Sequence, residues 1–271
     1  MIVCINTSRT RSLILVTNAL EAFSLHDKVA LITGASSGIG AQQARALGSA
    51  GARLVLVARS EDSLKALQAE LADKDIKASY IAADLLDEQQ WDSVVEQAQS
   101  CYGQIDILCN TAGVNLRQAA EQVTSESWDI TQILNVKVPF MLAQKLVPAM
   151  QARGWGRIIN VASLQSARAL TNGIAYGASK GAVAQLTRAM AEAWSASGVG
   201  CNAIAPGFFH TGLTQAVFDS PEIVEKLAKQ TAIGRNGDLQ DLDGITVFLA
   251  SRAADYITGQ VIYVDGGFTA K

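Results

Sequence analysis

Short apolar runs alternate with segments of helical periodicity along most of the chain. Between the runs, apolar residues recur at three- and four-residue intervals, as at Leu64, Leu67 and Leu71, and predict helices that bury one face. The longest of these helices are predicted at residues 126–150 and 175–196. The apolar runs predict buried strands at residues 29–33, 53–58, 78–82, 105–109, 156–161, 199–205 and 260–264. Such alternation favours one α/β domain, a doubly wound parallel sheet (Rossmann fold) with helices on both faces.

The first 24 residues differ from the rest. They contain Arg9 and Arg11 with several serines and threonines, and no acidic residue precedes Glu21. Their apolar stretch, residues 13–16, is shorter than the ~7–15 residues of a signal-peptide core. We therefore predict a dispensable extension at residues 1–24, disordered or the product of a start codon set too early, before a single domain at residues 25–271. A transit peptide for a mitochondrion or another organelle is the alternative.

Composition and charge argue against several classes of protein. The 271 residues include 22 Lys and Arg against 25 Asp and Glu, a balance that does not suit nucleic-acid binding. No apolar run approaches the ~18–20 residues of a membrane span. The four cysteines form no CxxC pair, and His26 and His210 do not stand at ligand spacing. We expect a cytoplasmic protein with a small-molecule substrate and no metal, nucleic-acid or membrane partner.

A glycine-rich turn separates the first predicted strand from the first predicted helix. Glycines let the backbone approach a pyrophosphate, and the following helix N-terminus offers unpaired N–H groups. The spacing is GxxxGxG rather than the commoner GxGxxG, and a purely structural turn is the alternative. The residues predicted to contact a nucleotide here are Gly34, Ser36, Ser37, Gly38, Ile39 and Gly40.

The end of the second predicted strand bears on which nucleotide binds. In a dinucleotide-binding fold this position meets the adenosine ribose, where an acidic residue suits a free 2′-hydroxyl and an arginine suits a 2′-phosphate. Arg59 stands there, so NADP(H) is favoured. NAD(H) stays possible because Glu61 and Asp62 lie close by, and a solvated arginine is the alternative interpretation.

Three side chains form the strongest candidate for catalysis. Tyr176 and Lys180 stand four residues apart in a predicted helix and share a face. Ser163 follows a predicted strand, at the sheet edge where ligands bind in open α/β folds. A nearby ammonium and the charge of an oxidised nicotinamide would lower the phenol pKa from about 10. Tyr176 is therefore predicted to exchange a proton with a substrate oxygen that Ser163 also hydrogen-bonds.

Residues 25–268 resemble the short-chain dehydrogenase/reductase family. TGASSGIG (33–40) is similar to the cofactor loop of that family, and Ser163, Tyr176 and Lys180 match its catalytic positions. The resemblance implies that Asn135 helps to hold a water in a proton relay and that Lys180 also binds the nicotinamide ribose. Other cofactor contacts that it implies are Asp84, Asn110, Ala112, Gly113, Tyr176, Pro206, Gly207 and Thr211. Thr111 departs from the family pattern, in which a second asparagine is common.

Within the family, residues 163–166 and 202–214 resemble gluconate 5-dehydrogenases and related sugar-acid or polyol dehydrogenases. This implies hydride transfer between NADP(H) and a keto-sugar acid or polyol, with residues 211–235 as a variable substrate lid. Arg117 could pair with a carboxylate, or be a solvated loop arginine. The candidate substrate residues are Asn115, Arg117, Gln165, Phe208 and His210.

Other functions stay open at this point. Apolar residues in the lid are compatible with a general carbonyl reductase for apolar ketones or a 3-oxoacyl-carrier-protein reductase. A cofactor-binding sensor without turnover is the non-enzyme alternative, which the complete set of catalytic residues disfavours. The resemblance also implies a homodimer or homotetramer, with helices 126–150 and 175–196 and the segment 261–271 at its interfaces.

Overall fold

Seven parallel strands form one sheet in the computed structural model, which describes residues 18–271. The strands are β1 (Val29–Thr33), β2 (Arg53–Ala58), β3 (Ala78–Ala82), β4 (Ile107–Asn110), β5 (Gly156–Val161), β6 (Val199–Pro206) and β7 (Val261–Val264). Their order across the sheet is β3-β2-β1-β4-β5-β6-β7. The direction of winding therefore reverses between β1 and β4, and ligands of such sheets bind at the carboxyl ends of the strands beside that switch point.

Helices connect the strands and cover both faces of the sheet. They are α1 (Gly38–Ser49), α2 (Glu61–Ala72), α3 (Gln90–Tyr102), α4 (Ser125–Gln132), α5 (Val138–Arg153), α6 (Ile174–Trp194), α7 (Gln215–Phe218), α8 (Pro221–Gln230) and α9 (Asp243–Ala250). The predicted doubly wound α/β fold is confirmed, with four strands at the predicted bounds and three, β4, β6 and β7, that differ from them by one or two residues.

Alternate side chains of each strand enter two separate cores. Val55 and Val57 of β2 join the core under α3, α5 and α6, whereas Leu54 and Leu56 join the core under α1, α2 and α9. Because both faces of the sheet are covered, each strand needs apolar residues at consecutive positions. This explains why the strands are visible in the sequence as continuous apolar runs.

The helix predicted at residues 126–150 is interrupted. A π-helical turn at Ile133–Lys137 separates α4 from α5, and the Val138 N–H reaches back to the Ile133 carbonyl. Pro139 is the reason, because proline has no N–H and its ring clashes with the carbonyl four residues earlier. The interruption falls at Asn135, one of the predicted catalytic residues.

Most of the predicted N-terminal extension lies outside the described residues, so that division of the chain stays a prediction. Its described end forms a short 3-10 helix at Ala19–Phe23, and the Phe23 ring lies 6.2 Å from that of Phe248. Within residues 18–271 no helix is long and apolar enough to cross a bilayer, and no three His, Cys, Asp or Glu side chains are grouped as metal ligands.

Candidate active site

A cavity of about 740 Å³ opens at the carboxyl ends of the strands. Its walls come from the glycine-rich turn, the end of β2, the loops after β3 to β6 and the first turns of α6. Most of the residues singled out from the sequence line it. They are Gly34, Ser36, Ser37, Gly38, Ile39, Gly40, Arg59, Asp84, Ala112, Gly113, Asn115, Arg117, Ser163, Gln165, Tyr176, Lys180, Pro206, Gly207, Phe208 and Thr211.

Two predicted contact residues point elsewhere. Asn110 is the last residue of β4, and its buried side chain donates to the Asn160 Oδ1 (2.9 Å), thereby joining β4 to β5. His210 is exposed, pairs with Gln215 (3.0 Å) and stacks on Phe218 with 4.9 Å between ring centroids. The structure therefore does not bring these two side chains to the cavity.

The glycine-rich turn is shaped for a phosphate. Gly34 has a φ of +68°, and a Cβ there would lie 2.8 Å from Ala112 backbone atoms. A Cβ on Gly40 would lie 2.3 Å from the Gly34 carbonyl oxygen. Helix α1 starts within this turn without a side-chain cap and without an acidic residue in its first turn. Its first N–H groups and the positive end of its dipole therefore face the cavity ready for an anion, and this arrangement fits a dinucleotide pyrophosphate.

Thr33, which the sequence reasoning missed, joins the glycine-rich turn to the loop after β4. Its hydroxyl accepts the N–H groups of Thr111 (3.0 Å) and Ala112 (3.1 Å) and donates to the Cys109 carbonyl (3.3 Å). Its sequence signals were a hydroxyl residue at the end of a buried strand and its place as the first residue of TGASSGIG (33–40), neither of which indicates these partners.

The adenosine end of the cavity contains one exposed cation. Arg59 follows β2 at the cavity rim and takes part in none of the ion pairs formed within the described part of the chain. Asp84, which follows the neighbouring strand β3, lines the same cavity, and its carboxylate accepts the Leu86 N–H (3.1 Å). An unpaired guanidinium at this position fits a ribose 2′-phosphate.

Helix α6 and the loop after β5 bring the three catalytic candidates together. Tyr176 and Lys180 occupy the first two turns of α6, and the Ser163 hydroxyl interacts with that of Tyr176. The Lys180 Nζ donates to the Val161 carbonyl (2.6 Å) and lies 5.5 Å from the centroid of the Tyr176 ring. Cation, phenol and serine hydroxyl thus line one wall of the cavity, as expected from their spacing.

Burial shifts the pKa values of both Tyr176 and Lys180. Burial raises the pKa of Tyr176 above its usual value of 10, and the Ser163 hydrogen bond and the positive charge of Arg117 only partly offset the increase. Burial also lowers the pKa of Lys180 to about 8. Because burial outweighs the effects of Ser163 and Arg117, the lowered phenol pKa that the sequence suggested is not produced by the protein groups alone.

Asn135 does not line the cavity, but its side chain joins two elements that carry residues of the site. Its side-chain oxygen accepts the Val114 N–H (2.9 Å), and its amide donates to the Val114 carbonyl (3.0 Å) and to Ser179 (2.9 Å). The Ser179 hydroxyl donates in turn to the Tyr176 carbonyl (2.7 Å). The amide thus joins the loop after β4 to the first turn of α6, while its predicted role in holding a water stays a prediction.

Ser166, to which the sequence analysis assigned no role, fixes the loop that carries Ser163. The Ser166 hydroxyl donates to the Lys180 carbonyl (2.7 Å), and the Ser163 N–H approaches that hydroxyl at 3.3 Å. Ser163 and Lys180 are therefore held in register by the hydroxyl of a third residue.

Both polar and apolar side chains line the end of the cavity that lies away from Arg59. Arg117, whose φ is +49°, donates to the Leu213 carbonyl of the lid (3.3 Å), and its N–H is capped by Asn115 (3.2 Å). Gln165 packs so tightly that a Cβ on Gly173 would lie 2.2 Å from its side-chain oxygen. Apolar walls come from Leu134, Leu164, Leu170, Phe208, Phe209 and Leu213.

Comparisons with known proteins agree with this geometry. A family model described as "Enoyl-(Acyl carrier protein) reductase" matches residues 34–269. The gluconate 5-dehydrogenase of Gluconobacter oxydans (strain 621H) is 39% identical over 251 residues, which cover 93% of this chain and 98% of that protein. The 2-dehydro-3-deoxy-D-gluconate 5-dehydrogenase of Bacillus subtilis (strain 168) is 38% identical over 253 residues, covering 93% and 98%.

A solved structure shares the whole fold. It is a gluconate 5-dehydrogenase from Burkholderia cenocepacia J2315 in complex with NADP and tartrate. It superposes with a TM-score of 0.89 at 37% identity and covers 94% of this chain and 100% of that one.

Proposed function

Because this chain belongs to the short-chain dehydrogenase/reductase family, we propose that it uses NADP(H) to interconvert a keto-sugar acid and the corresponding secondary alcohol. The observation that carries the proposal is the convergence of Ser163, Tyr176 and Lys180 on the cavity that the glycine-rich turn also lines. When bound, the nicotinamide supplies hydride chemistry, and the protein contributes binding, orientation and the proton.

Tyr176 is the proton donor and acceptor in this proposal. Since burial keeps its phenol neutral, it can donate a proton to a carbonyl oxygen in the reductive direction. Ser163 donates a hydrogen bond to the same oxygen and so fixes its position. The Lys180 ammonium near the ring favours the phenolate that remains after proton donation.

NADP(H) is the preferred dinucleotide. The 2′-phosphate would be held by Arg59, whose guanidinium has no acidic partner in the described residues, and the pyrophosphate by the N-terminus of α1. The Burkholderia cenocepacia relative was crystallised with NADP, which supports the same choice.

A carboxylate on the substrate is supported by Arg117. This arginine lines the cavity, and its positive charge acts on the Tyr176 phenol, so an acid bound to it would lie beside the proton donor. The tartrate in the Burkholderia cenocepacia structure is itself a hydroxy acid.

The experiment that tests the proposal is an absorbance assay of nicotinamide oxidation with NADPH and, separately, NADH. The substrates are 5-ketogluconate, neutral keto-sugars, an aromatic ketone, a diketone and an acetoacetyl thioester. We expect turnover of 5-ketogluconate with NADPH to exceed all other combinations. Turnover of only the apolar ketones or the thioester would overturn the proposed substrate but not the enzyme class.

The apolar walls favour one alternative substrate class. Phe208, Leu164 and Leu213 could accept an apolar ketone or the acyl chain of a 3-oxoacyl thioester, and the matching family model is described as a reductase for carrier-protein substrates. Cofactor binding without turnover of any compound in the panel would instead support a sensor.

The proposal also includes a cytoplasmic location, as expected from the scattered cysteines, and the homodimer or homotetramer that the family resemblance implies. Trp128 near the start of α4 and Ile174 at the start of α6 are 37% and 53% exposed, and such apolar side chains suit burial between subunits. Light scattering on the eluting protein measures the assembly, and a monomer would overturn this part.

A further inference from the structure

The residues after β7 fold back toward the cavity instead of leaving the domain. The Asp265 carboxylate accepts the N–H groups of Gly267 (2.9 Å) and Thr269 (2.9 Å) and the Thr269 hydroxyl (2.7 Å). Gly266 and Gly267 have φ of +62° and +78°, which side-chain-bearing residues rarely adopt. Residues 265–271, called the tail brace below, therefore form a defined turn with a fixed direction.

The tail brace holds the segment that ends the lid. The Gly266 carbonyl accepts the N–H groups of Ala232 (2.7 Å) and Ile233 (3.1 Å), just beyond α8. The Lys271 ammonium donates to the carbonyls of Thr231 (2.9 Å) and Lys229 (3.4 Å). A cation at this end of α8 satisfies carbonyls that the helix leaves unpaired and interacts favourably with its dipole.

The same few residues contact the loop that carries Ser163. Arg168 donates to the Lys271 carbonyl (2.7 Å) and to the Phe268 carbonyl (3.5 Å), and its guanidinium lies 5.8 Å from the Phe268 ring centroid. Phe268 is buried and meets Phe208 edge to face, with 5.6 Å between centroids. Phe208 itself lines the cavity.

We propose that the tail brace is a positioning element, which sets how the lid (residues 211–235) and Phe208 close on the carbonyl substrate. Its contacts join the loop after β5, Phe208 in the loop after β6 and the end of α8. The elements proposed to hold the phosphates of the dinucleotide, Arg59 and the N-terminus of α1, are not among its contacts in residues 18–271. Loosening the brace therefore weakens substrate binding and leaves dinucleotide binding unchanged. The inference rests on the proposed function in one respect, which is that a carbonyl substrate binds beside the lid and Phe208.

Two variants test the brace kinetically. Lys271→Met removes the ammonium but keeps most of the aliphatic chain, and Arg168→Leu removes the guanidinium. We expect each to raise the KM for the best carbonyl substrate about fivefold, with kcat and the NADPH dissociation constant changed less than about twofold. Lys271→Arg, which keeps a cation, should restore most of the KM.

The matched control is Lys77→Met. Lys77 is an exposed lysine outside the cavity and the lid, and its side chain forms none of the hydrogen bonds found in residues 18–271, so its loss should leave KM unchanged. Equal KM values for Lys271→Met and Lys77→Met would overturn the proposal.

A measurement without substrate separates failure of this inference from failure of the proposed function. Amide hydrogen exchange of the free protein should be faster across residues 211–235 in Lys271→Met and Arg168→Leu than in Lys77→Met. Unchanged exchange there would overturn the brace even if the enzyme reduces keto-sugar acids. Faster exchange would support it even if another substrate is found.

Discussion

A 2.9 Å hydrogen bond joins the side-chain amide of Asn135 to the hydroxyl of Ser179, and both side chains are buried. The Ser179 hydroxyl in turn donates a hydrogen bond to the carbonyl of Tyr176. The π-helical turn and the first turn of α6 are thereby coupled, so the position of the phenol depends on a serine that does not reach the cavity.

Replacement of that serine, Ser179→Ala, should lower kcat about tenfold and leave the NADPH dissociation constant within about twofold. The reason is that Tyr176 loses the contact that fixes its backbone, whereas the cofactor loop is untouched. Steady-state kinetics and a fluorescence titration with NADPH measure the two effects.

Thr187→Val is the matched control for Ser179→Ala. Thr187 is a buried hydroxyl on the same helix that also accepts from an asparagine, Asn160 (2.9 Å), and donates to a carbonyl, that of Val183 (2.8 Å). Both variants should lose stability, by about 1 kcal/mol each, and only Ser179→Ala should lose kcat. Equal kcat values would contradict the positioning role.

Tyr176→Phe should abolish turnover while NADPH still binds. The substitution removes the proton that the substrate oxygen needs and preserves the ring that forms the cavity wall. A loss of at least about a hundredfold in kcat, with binding intact by titration, is the expected result. Substantial residual activity would exclude Tyr176 as the proton donor.

Arg59→Asp should shift the preference from NADPH toward NADH. The carboxylate repels a 2′-phosphate and can accept hydrogen bonds from a free 2′-hydroxyl. The ratio of kcat/KM for NADPH over NADH should fall by at least about tenfold. Lys77→Asp makes the same charge change at an exposed site outside the cavity and should leave the ratio unchanged.

Arg117→Met should raise the KM for 5-ketogluconate by about tenfold and leave that for a neutral keto-sugar within about twofold. It should also move the alkaline limb of the pH profile upward, because the charge of Arg117 lowers the pKa of Tyr176. Equal changes for the acid and the neutral sugar would mean that Arg117 does not bind a carboxylate.

The buried ammonium of Lys180 predicts a pH-dependent stability. Its folded-state pKa of about 8 lies below the ordinary value of 10.5, so the unfolded chain binds more protons between these values. Stability conferred by this group therefore rises as pH increases through that range. From pH 8 to 9.5 the free energy of unfolding of the wild type should gain about 2 kcal/mol over that of Lys180→Met.

Urea unfolding of both proteins at several pH values measures this difference. Lys226→Met serves as the reference for a lysine lost from an exposed position. A difference between wild type and Lys180→Met that does not change with pH would mean that Lys180 keeps an ordinary pKa in the folded protein.

The sheet was predictable because both of its faces are covered, which forces continuous apolar runs. The π-helical turn was not, since one extra residue barely changes the spacing of apolar side chains, and the effect of Pro139 depends on the helix around it. The direction of the Asn110 side chain could not be predicted either. The sequence places it at the end of a strand, but only the pleat decides that its side chain enters the core.

The meeting of Ser163, Tyr176 and Lys180 at one cavity was predictable because two of them share a helix face and the third follows a strand end. Ser166 and Thr33 were not, because each acts through backbone groups that are distant in sequence and meet only in the fold. Ser179 was not either, because its partner Asn135 is equally distant in sequence. The position of the His210 side chain outside the cavity could not be predicted, since its direction depends on a loop without periodicity.

Thr33 has one more consequence. Three hydrogen bonds converge on its hydroxyl, so the distance between the glycine-rich turn and residues 111–113 is set when the chain folds. A dinucleotide thus meets a preorganised receptor, and little of its binding energy is spent on ordering the protein. The hydroxyl that completes the packing between two strands also holds two loops of the site at a fixed separation.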